Sequence, residues 1–189
     1  FMRDVRKTAY TQGRVIYDAD TDYGGWWFCC FPYVFVQEND VLPFFIHCDD
    51  VEYGLRCGKK PIIIEGVQVW HETYDKRMTP LMQYYDTRNP LFVNQLYGFL
   101  PEPLQLLQQW KDKMTAFHVK GDWLSEYYVI LAMNDFLKGM GWLKRIDAGK
   151  YHKKLQKVKS CRVKNAICWR LVEHRAKKKF MVHKNNCSG

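Results

Sequence analysis

The sequence predicts a mixed fold, in which a small mixed β-sheet part is followed by a C-terminal α-helical bundle. Three observations lead to this class. The first part of the chain contains short apolar runs rich in aromatic and β-branched residues, which is the composition of buried strands. From Met78 onward, apolar residues recur at the three- and four-residue spacings of helices. Gly and Pro separate these stretches, as they do at turns and at the ends of elements.

Three stretches are predicted to form the sheet. Residues 24–36 are an aromatic-rich run that Pro32 interrupts, which indicates a buried strand or a pair of strands. Residues 41–47 form a second, shorter apolar run. Residues 61–71 are rich in β-branched side chains and are broken by Gly66, so they are predicted as a third strand.

A short helix and a long helix are predicted around the third strand. Residues 50–57 fit one or two helical turns, and Gly58 is a stop signal directly after them. The long helix covers residues 78–97. Pro80 is tolerated in its first turn, whereas Pro90 is expected to kink or interrupt it.

The rest of the chain is predicted to be helical as well. A helix over residues 104–119 follows two prolines, and Asp122 is the expected N-cap of a helix over residues 123–138. A short segment at residues 142–146 leads into a basic tail. This tail is predicted to be moderately amphipathic and frayed near its end.

The cysteines and the hydropathy pattern indicate a cytoplasmic protein. The seven cysteines include no Cys-x-x-Cys pair, and their odd number favours reduced thiols. The longest apolar stretch, residues 24–36, has about 13 residues against the roughly 20 that span a membrane. The chain begins with Phe1 rather than Met, so we expect it to be a fragment of a longer protein.

The positive charge is concentrated at one end of the chain. Residues 1–137 carry a net charge of −5 and residues 138–189 carry +14. Such asymmetry is typical of a basic segment that meets an anionic surface.

Two adjacent carboxylates are candidates for catalysis. An apolar run ends in Asp49 and Asp50, where the short helix is predicted to begin. Acidic side chains lie in the favourable field of the helix dipole there, so both can stay ionised and point outward. An ionised carboxylate at the mouth of a cleft is what a general base requires. The alternative is a helix start with two solvated acids and no catalytic role.

Four motifs occur in an order that resembles a known enzyme family. They are residues 25–30 (GWWFCC), 49–56 (DDVEYGLR), 69–71 (VWH) and 84–89 (YYDTRN). Together they resemble the C-terminal half of family 2 inverting glycosyltransferases, and the closest branch is the bacterial galactofuranosyltransferases. The resemblance extends from about residue 22 to about residue 155.

The resemblance implies an α/β fragment of the GT-A type. Residues 1–100 would be the acceptor-side half of the transferase domain, and residues 101–189 would be a helical C-terminal extension with a basic tail. The half that binds the nucleotide would lie outside this chain, which would then be only part of the active enzyme.

The resemblance also implies the reaction and the roles of three residues in it. A nucleotide-diphosphate sugar would donate its sugar, with inversion, to a growing cell-envelope or surface polysaccharide or to a lipid-linked glycan. Asp50 would be the general base and Asp49 would orient the acceptor. A divalent metal, Mg or Mn, would bind the diphosphate with His71 as a ligand. A histidine that ends a strand can instead have a purely structural role.

Three tryptophans are candidates for stacking on sugar rings. Trp26 and Trp27 alternate along a predicted strand, so at most one of them would face the cleft and the other would be core. Trp70 is a weaker candidate of the same kind.

Arg88 is a candidate for binding diphosphate oxygens through its planar guanidinium. The alternative is an ion pair with Asp86 or Glu52. The galactofuranosyltransferase pattern has a histidine where this chain has Asp86, so the resemblance leaves a different donor sugar open.

The basic tail has three interpretations. Its lysines and arginines can lie on an anionic membrane surface, which would place the protein peripherally on the inner face of the cell membrane. They can also belong to a solvated helix. Nucleic acid is disfavoured as a partner, because few aromatic residues alternate with these charges. The rival to a transferase is therefore a non-catalytic helical interaction module with a basic membrane- or nucleic-acid-binding tail.

Overall fold

A computed structural model of the chain describes residues 15–17, 22–64, 69–70, 78–158 and 169–186. These residues are predominantly helical, and their extended structure consists of one antiparallel pair of three-residue strands. The predicted α/β fold with a mixed sheet is therefore wrong, and the described chain is a helical protein.

The chain divides into two compact units. Unit 1 comprises residues 1–42 and 49–74, and unit 2 comprises residues 43–48 and 75–189. The predicted domain boundary at residue 100 thus falls inside unit 2. The chain enters unit 2 briefly at residues 43–48, returns to unit 1, and enters unit 2 again after residue 74.

Unit 1 contains two helices and the strand pair. Strand β1 (Val15–Tyr17) pairs with β2 (Ile62–Ile64), with Val15 opposite Ile64 and Tyr17 opposite Ile62. The helices are α1 (Tyr33–Glu38) and α2 (Asp49–Cys57).

Unit 2 contains six helices among the described residues. Their bounds are Pro80–Leu96 (α3), Pro103–Val119 (α4), Trp123–Leu137 (α5), Met140–Leu143 (α6), Ala148–Gln156 (α7) and Trp169–Asn186 (α8). Helix α5 packs against α3, α4 and α8, so it is the centre of this unit. No helix in the described part of the chain is long and apolar enough to cross a membrane.

Among the described residues, the predicted strands are mostly absent, and for the first of them the reason is identifiable. Residues 24–36 form turns and the start of α1, and most of their apolar side chains are exposed. Pro32 stands directly before α1 as its N-cap residue, so the proline begins a helix instead of interrupting a strand. Residues 41–47 are irregular, and β2 covers three residues of the run at 61–71.

The helix predictions are confirmed where the sequence carries start and stop signals. Asp122 caps α5 by accepting a hydrogen bond from the Ser125 N–H at 3.1 Å. Gly58 ends α2 with a φ of 63°, in the left-handed region that favours glycine. Helix α3 starts at Pro80, two residues after the predicted start, and continues through Pro90 to Leu96. The helix is therefore not interrupted at Pro90, and the other predicted outcome, a kink at this residue, stays a prediction. Helix α8 extends to Asn186, and the fraying expected near the end of the tail stays a prediction.

An aromatic core fills the centre of unit 2. Tyr84 and Tyr85 of α3 pack with Tyr128 and Ala132 of α5 and with Leu155 of α7, and all five are buried. Fully buried aromatic side chains remove large apolar areas from water, so this cluster is a main source of stability for the unit.

Candidate functional site

The acid pair opens helix α2. Asp49 and Asp50 occupy its first two positions and are partly exposed. The Asp50 carboxylate accepts a hydrogen bond from the N–H of Val51 at 2.8 Å. A side chain at Gly25 would lie 3.8 Å from its other oxygen, so the Gly25 backbone packs beside the carboxylate.

The pKa of Asp50 is raised above its usual value. Burial is the largest cause, and the neighbouring charge of Asp49 raises the pKa further. Hydrogen bonds from the backbone N–H groups of Val51 and Trp26 act in the opposite direction. A raised pKa makes the carboxylate a stronger base, which suits proton removal from a sugar hydroxyl.

The tryptophans predicted to stack on sugar lie on turns and exposed chain rather than on a strand. Trp26 is 37% exposed and packs edge-on against Tyr53 and Phe31, with ring centroids 5.4 Å and 6.1 Å away. Trp27 is 45% exposed and Trp70 is 84% exposed. Trp26 and Trp27 therefore do not alternate across a strand, and all three indoles keep some surface accessible to solvent.

Tyr53 is the central residue of the aromatic contacts beside the acid pair. It is buried on α2, and its hydroxyl donates a hydrogen bond to the Asn39 carbonyl at 2.9 Å. Its ring contacts Phe31 and Phe35 as well as Trp26. The sequence showed Tyr53 only as part of a motif, and its packing role depends on contacts that sequence spacing does not reveal.

Thiols lie in the same unit as the acid pair. Cys29 and Cys30 are exposed, Cys57 is partly exposed, and all three are free. The pKa of the Cys29 thiol is raised by burial first, and then by the nearby Cys30, Asp50 and Cys57. The described residues contain no group of three or more His, Cys, Asp or Glu side chains that could hold a metal ion.

Arg88 lies in the interior of unit 2 and is 1% exposed. Its guanidinium donates hydrogen bonds to Asn89 Oδ1 at 2.9 Å, to the Tyr84 hydroxyl at 3.0 Å and to the Phe44 carbonyl at 2.9 Å. The two acids considered as its partners contact other side chains instead. Glu52 pairs with Arg56, and Asp86 pairs with His47.

The predicted metal ligand, His71, lies outside the described residues. Its role stays a prediction.

The sequence did not reveal the buried polar network behind Arg88. The Tyr84 hydroxyl, which accepts from Arg88, donates to Asp135 Oδ2 at 2.8 Å, and Tyr151 and Lys138 bind the same carboxylate. Asp135 is fully buried. Its two tyrosine partners are 51 and 16 residues away along the chain, so no local pattern connects them.

Comparisons with known proteins relate the chain to glycosyltransferases. It is 34% identical over 130 residues to the galactofuranosyltransferase GlfT2 of Mycolicibacterium smegmatis, a match that covers 64% of this chain and 19% of that relative. It is 35% identical over 80 residues to the galactofuranosyltransferase GlfT2 of Mycobacterium tuberculosis, covering 39% of this chain and 13% of the relative. The chain thus spans less than a fifth of the length of these curated relatives. No protein-family profile and no solved structure matches it.

Proposed function

We propose that this protein is an inverting glycosyltransferase that moves a sugar from a nucleotide-diphosphate donor to a growing cell-envelope or surface glycan. The observation that carries the proposal is the Asp50 carboxylate, which is partly exposed, anchored by backbone N–H groups and raised in pKa. The similarity to two galactofuranosyltransferases supports the reaction class and favours galactofuranose as the sugar.

In the proposed mechanism, Asp50 takes the proton of an acceptor hydroxyl as its oxygen attacks the anomeric carbon. The bond from that carbon to the diphosphate oxygen breaks on the opposite face, and the nucleotide diphosphate leaves with the bonding electrons. One carboxylate suffices for this reaction, in contrast to the two that hydrolases need. Asp49 would orient the acceptor, and Trp26, Trp27 and Trp70 would offer their exposed indole faces to sugar rings.

A divalent metal, Mg or Mn, would neutralise charge on the leaving diphosphate when bound. His71 is the proposed ligand from this chain. Because the described residues hold no cluster of metal-binding side chains, they do not supply a complete site, and no step above depends on one.

The acceptor is proposed to be a polysaccharide or a lipid-linked glycan at the inner face of the cell membrane. The basic end of the chain supports this location, because lysines on α7 and α8 carry a dense positive charge. Each basic residue near an anionic membrane contributes about 1 kcal/mol to binding.

The decisive experiment replaces the proposed base. Transfer from a nucleotide-diphosphate galactofuranose to a synthetic galactofuranoside acceptor is measured with the full-length protein and its Asp50→Asn variant. Loss of the general base is expected to lower kcat by about a hundredfold or more. Circular dichroism checks that the variant is folded.

Asp22→Asn is the matched control, since it removes the same charge from an exposed carboxylate of unit 1 that pairs with Lys60. It should keep wild-type activity. Full activity of Asp50→Asn would contradict the role of Asp50, and inactivity of the wild type towards every nucleotide-sugar donor would contradict the transferase itself.

A further inference from the structure

The backbone of residues 43–48 adopts an unfavourable conformation. Phe45, His47 and Cys48 have φ angles of 74°, 63° and 64°. These values lie in the left-handed region, where the Cβ of a non-glycine residue crowds the backbone. Three such residues within four positions will not persist without strong support from surrounding groups.

Two side chains of α3 provide this support. Asn89 donates from its amide to the carbonyls of Ile46 and His47 at 2.7 Å and 2.8 Å, and to that of Phe44 at 3.4 Å. Arg88 donates to the Phe44 carbonyl at 2.9 Å and to the Pro43 carbonyl at 3.5 Å. We call Arg88 and Asn89 the carbonyl clamp.

The carbonyl clamp is itself held rigidly. Arg88 and Asn89 are 1% and 0% exposed and bind each other through Arg88 Nε and Asn89 Oδ1. Arg88 also binds the Tyr84 hydroxyl, which is tied to the buried carboxylate of Asp135. Buried donors that lose their acceptors are costly, so the clamp and the strained segment stabilise each other.

Side chains of the segment are fixed to unit 2 as well. His47 pairs through Nδ1 with Asp86. The ring of Phe45 stacks on His152 of α7, with centroids 4.0 Å apart and planes inclined by 20°. The Tyr85 hydroxyl lies 2.9 Å from Nδ1 of the same histidine. Contacts from both α3 and α7 therefore hold the segment in this conformation.

We propose that Arg88 and Asn89 are positioning residues for the transfer reaction, acting through residues 43–48. Cys48 is followed directly in the chain by Asp49 and Asp50, so a change in the backbone of the segment reaches the start of α2 through a single peptide bond. This inference rests on the proposed function. It gives the buried arginine a role different from diphosphate binding, and the two roles predict different kinetics.

The test compares Asn89→Asp and Arg88→Lys with the wild type in the full-length protein. Asn89→Asp keeps the side-chain volume but replaces the donating amide by an acceptor that faces three carbonyls. Arg88→Lys keeps the charge but loses the fork of donors. Steady-state transfer gives kcat and the donor KM, and amide hydrogen exchange reports on residues 44–48.

A displaced base is expected to lower kcat by about ten- to a hundredfold in both variants, while the donor KM changes by less than about twofold. Amide exchange at residues 44–48 should become faster. Tyr128→Phe is the control, because it removes another buried hydrogen bond of unit 2, from the hydroxyl to the Leu155 carbonyl at 2.8 Å. It should lower the melting temperature and leave kcat within about twofold.

Several outcomes would overturn the inference. A raised donor KM with unchanged kcat in Arg88→Lys would indicate direct diphosphate binding. Faster exchange of the segment with unchanged kcat would show that the clamp has no influence on the reaction. If Asn89→Asp does not fold, Arg88→Lys decides between these results. Absence of transfer by the wild type would instead refute the proposed function, and this inference with it.

Discussion

At the scale of single residues, Asp50 and Asp147 show how local contacts tune a carboxylate. Both stand at the start of a helix. Hydrogen bonds from Lys150, from its backbone N–H first, lower the pKa of Asp147, which is exposed and caps α7. Burial raises the pKa of Asp50 although backbone N–H groups also bind it, and the adjacent Asp49 adds to the shift. Two carboxylates near helix starts thus have their pKa shifted in opposite directions, and only the raised pKa of Asp50 suits the proposed base.

The charge of Asp49 gives a testable pH dependence. A general base works only when it is deprotonated, so with Asp50 as the proposed base, activity should rise as the pH passes through the pKa of its carboxyl group. Since that pKa is raised, the acid limb of the kcat profile should lie above the usual carboxylate range. Asp49→Asn removes one cause of the shift and should move this limb to lower pH. The measurement is the pH profile of kcat in both proteins.

The pH at which the acid limb of the kcat profile lies is informative even if Asp49→Asn also lowers kcat through poorer acceptor orientation. Asp22→Asn serves again as the control of equal charge, and its limb should coincide with that of the wild type. A limb that stays in place or moves to higher pH in Asp49→Asn would show that a different group is the base.

Single residues also show which features can be predicted from the sequence and which cannot. The acid pair was recognisable because helix-start position and adjacent charges are local features. The interior position of Arg88 was not, because its carbonyl partners lie 44 and 45 residues earlier in the chain. An arginine in the middle of a helix looks like part of a solvated face until those contacts are known.

At the scale of elements, helix α2 depends on one glycine. A Cβ at Gly54 would lie 2.6 Å from Tyr23 Cβ and 3.3 Å from its Cα. Alanine favours a helix interior over glycine by about 1 kcal/mol. The close approach of Tyr23 opposes this gain, because contacts below 3 Å force neighbouring atoms to move.

We therefore expect Gly54→Ala to lower the free energy of unfolding by about 1–2 kcal/mol, since overpacking costs about 1–3 kcal/mol. Urea unfolding followed by tryptophan fluorescence measures the change. Gly149→Ala in α7 is the control, because its Cβ would meet Asp147 Oδ1 at an ordinary 3.6 Å. It should be neutral or slightly stabilising. A Gly54→Ala variant that is as stable as the wild type would show that Tyr23 moves away without cost.

Some elements are determined by local sequence signals such as caps and apolar periodicity. Others depend on a neighbouring element with which they pair. Helices α4 and α5 carry proline or aspartate at their first turns and periodic apolar residues after them, and both were predicted from the sequence. The aromatic run at 24–36 has the composition of a strand. A strand needs a neighbour to satisfy its backbone groups, and in the described structure this run has turns and α1 in place of a ladder.

At the scale of the whole molecule, the two units differ in how they bury aromatic residues. Unit 1 exposes rings such as Phe28, Tyr33 and Trp70. Unit 2 buries Tyr84, Tyr85 and Tyr128 around α3, α5 and α7, and it partly buries Tyr127 and Tyr151. The tyrosines in unit 2 whose pKa burial raises are Tyr84, Tyr85, Tyr127, Tyr128 and Tyr151. For Tyr85 the value rises to about 12.

These buried tyrosines predict a steep loss of stability at alkaline pH. Above about pH 10, tyrosines of the unfolded chain lose their protons while the buried ones keep theirs. The native state then binds more protons than the unfolded state, so the free energy of unfolding falls as pH rises. Each tyrosine contributes up to about 1.4 kcal/mol per pH unit between its pKa in the unfolded chain and its pKa in the native state.

Urea unfolding at a series of alkaline pH values gives the slope of the free energy of unfolding against pH. Tyr128→Phe should make it shallower, whereas Tyr33→Phe should leave it unchanged because that ring is 73% exposed. Equal slopes in all three proteins would mean that the aromatic core of unit 2 does not resist ionisation.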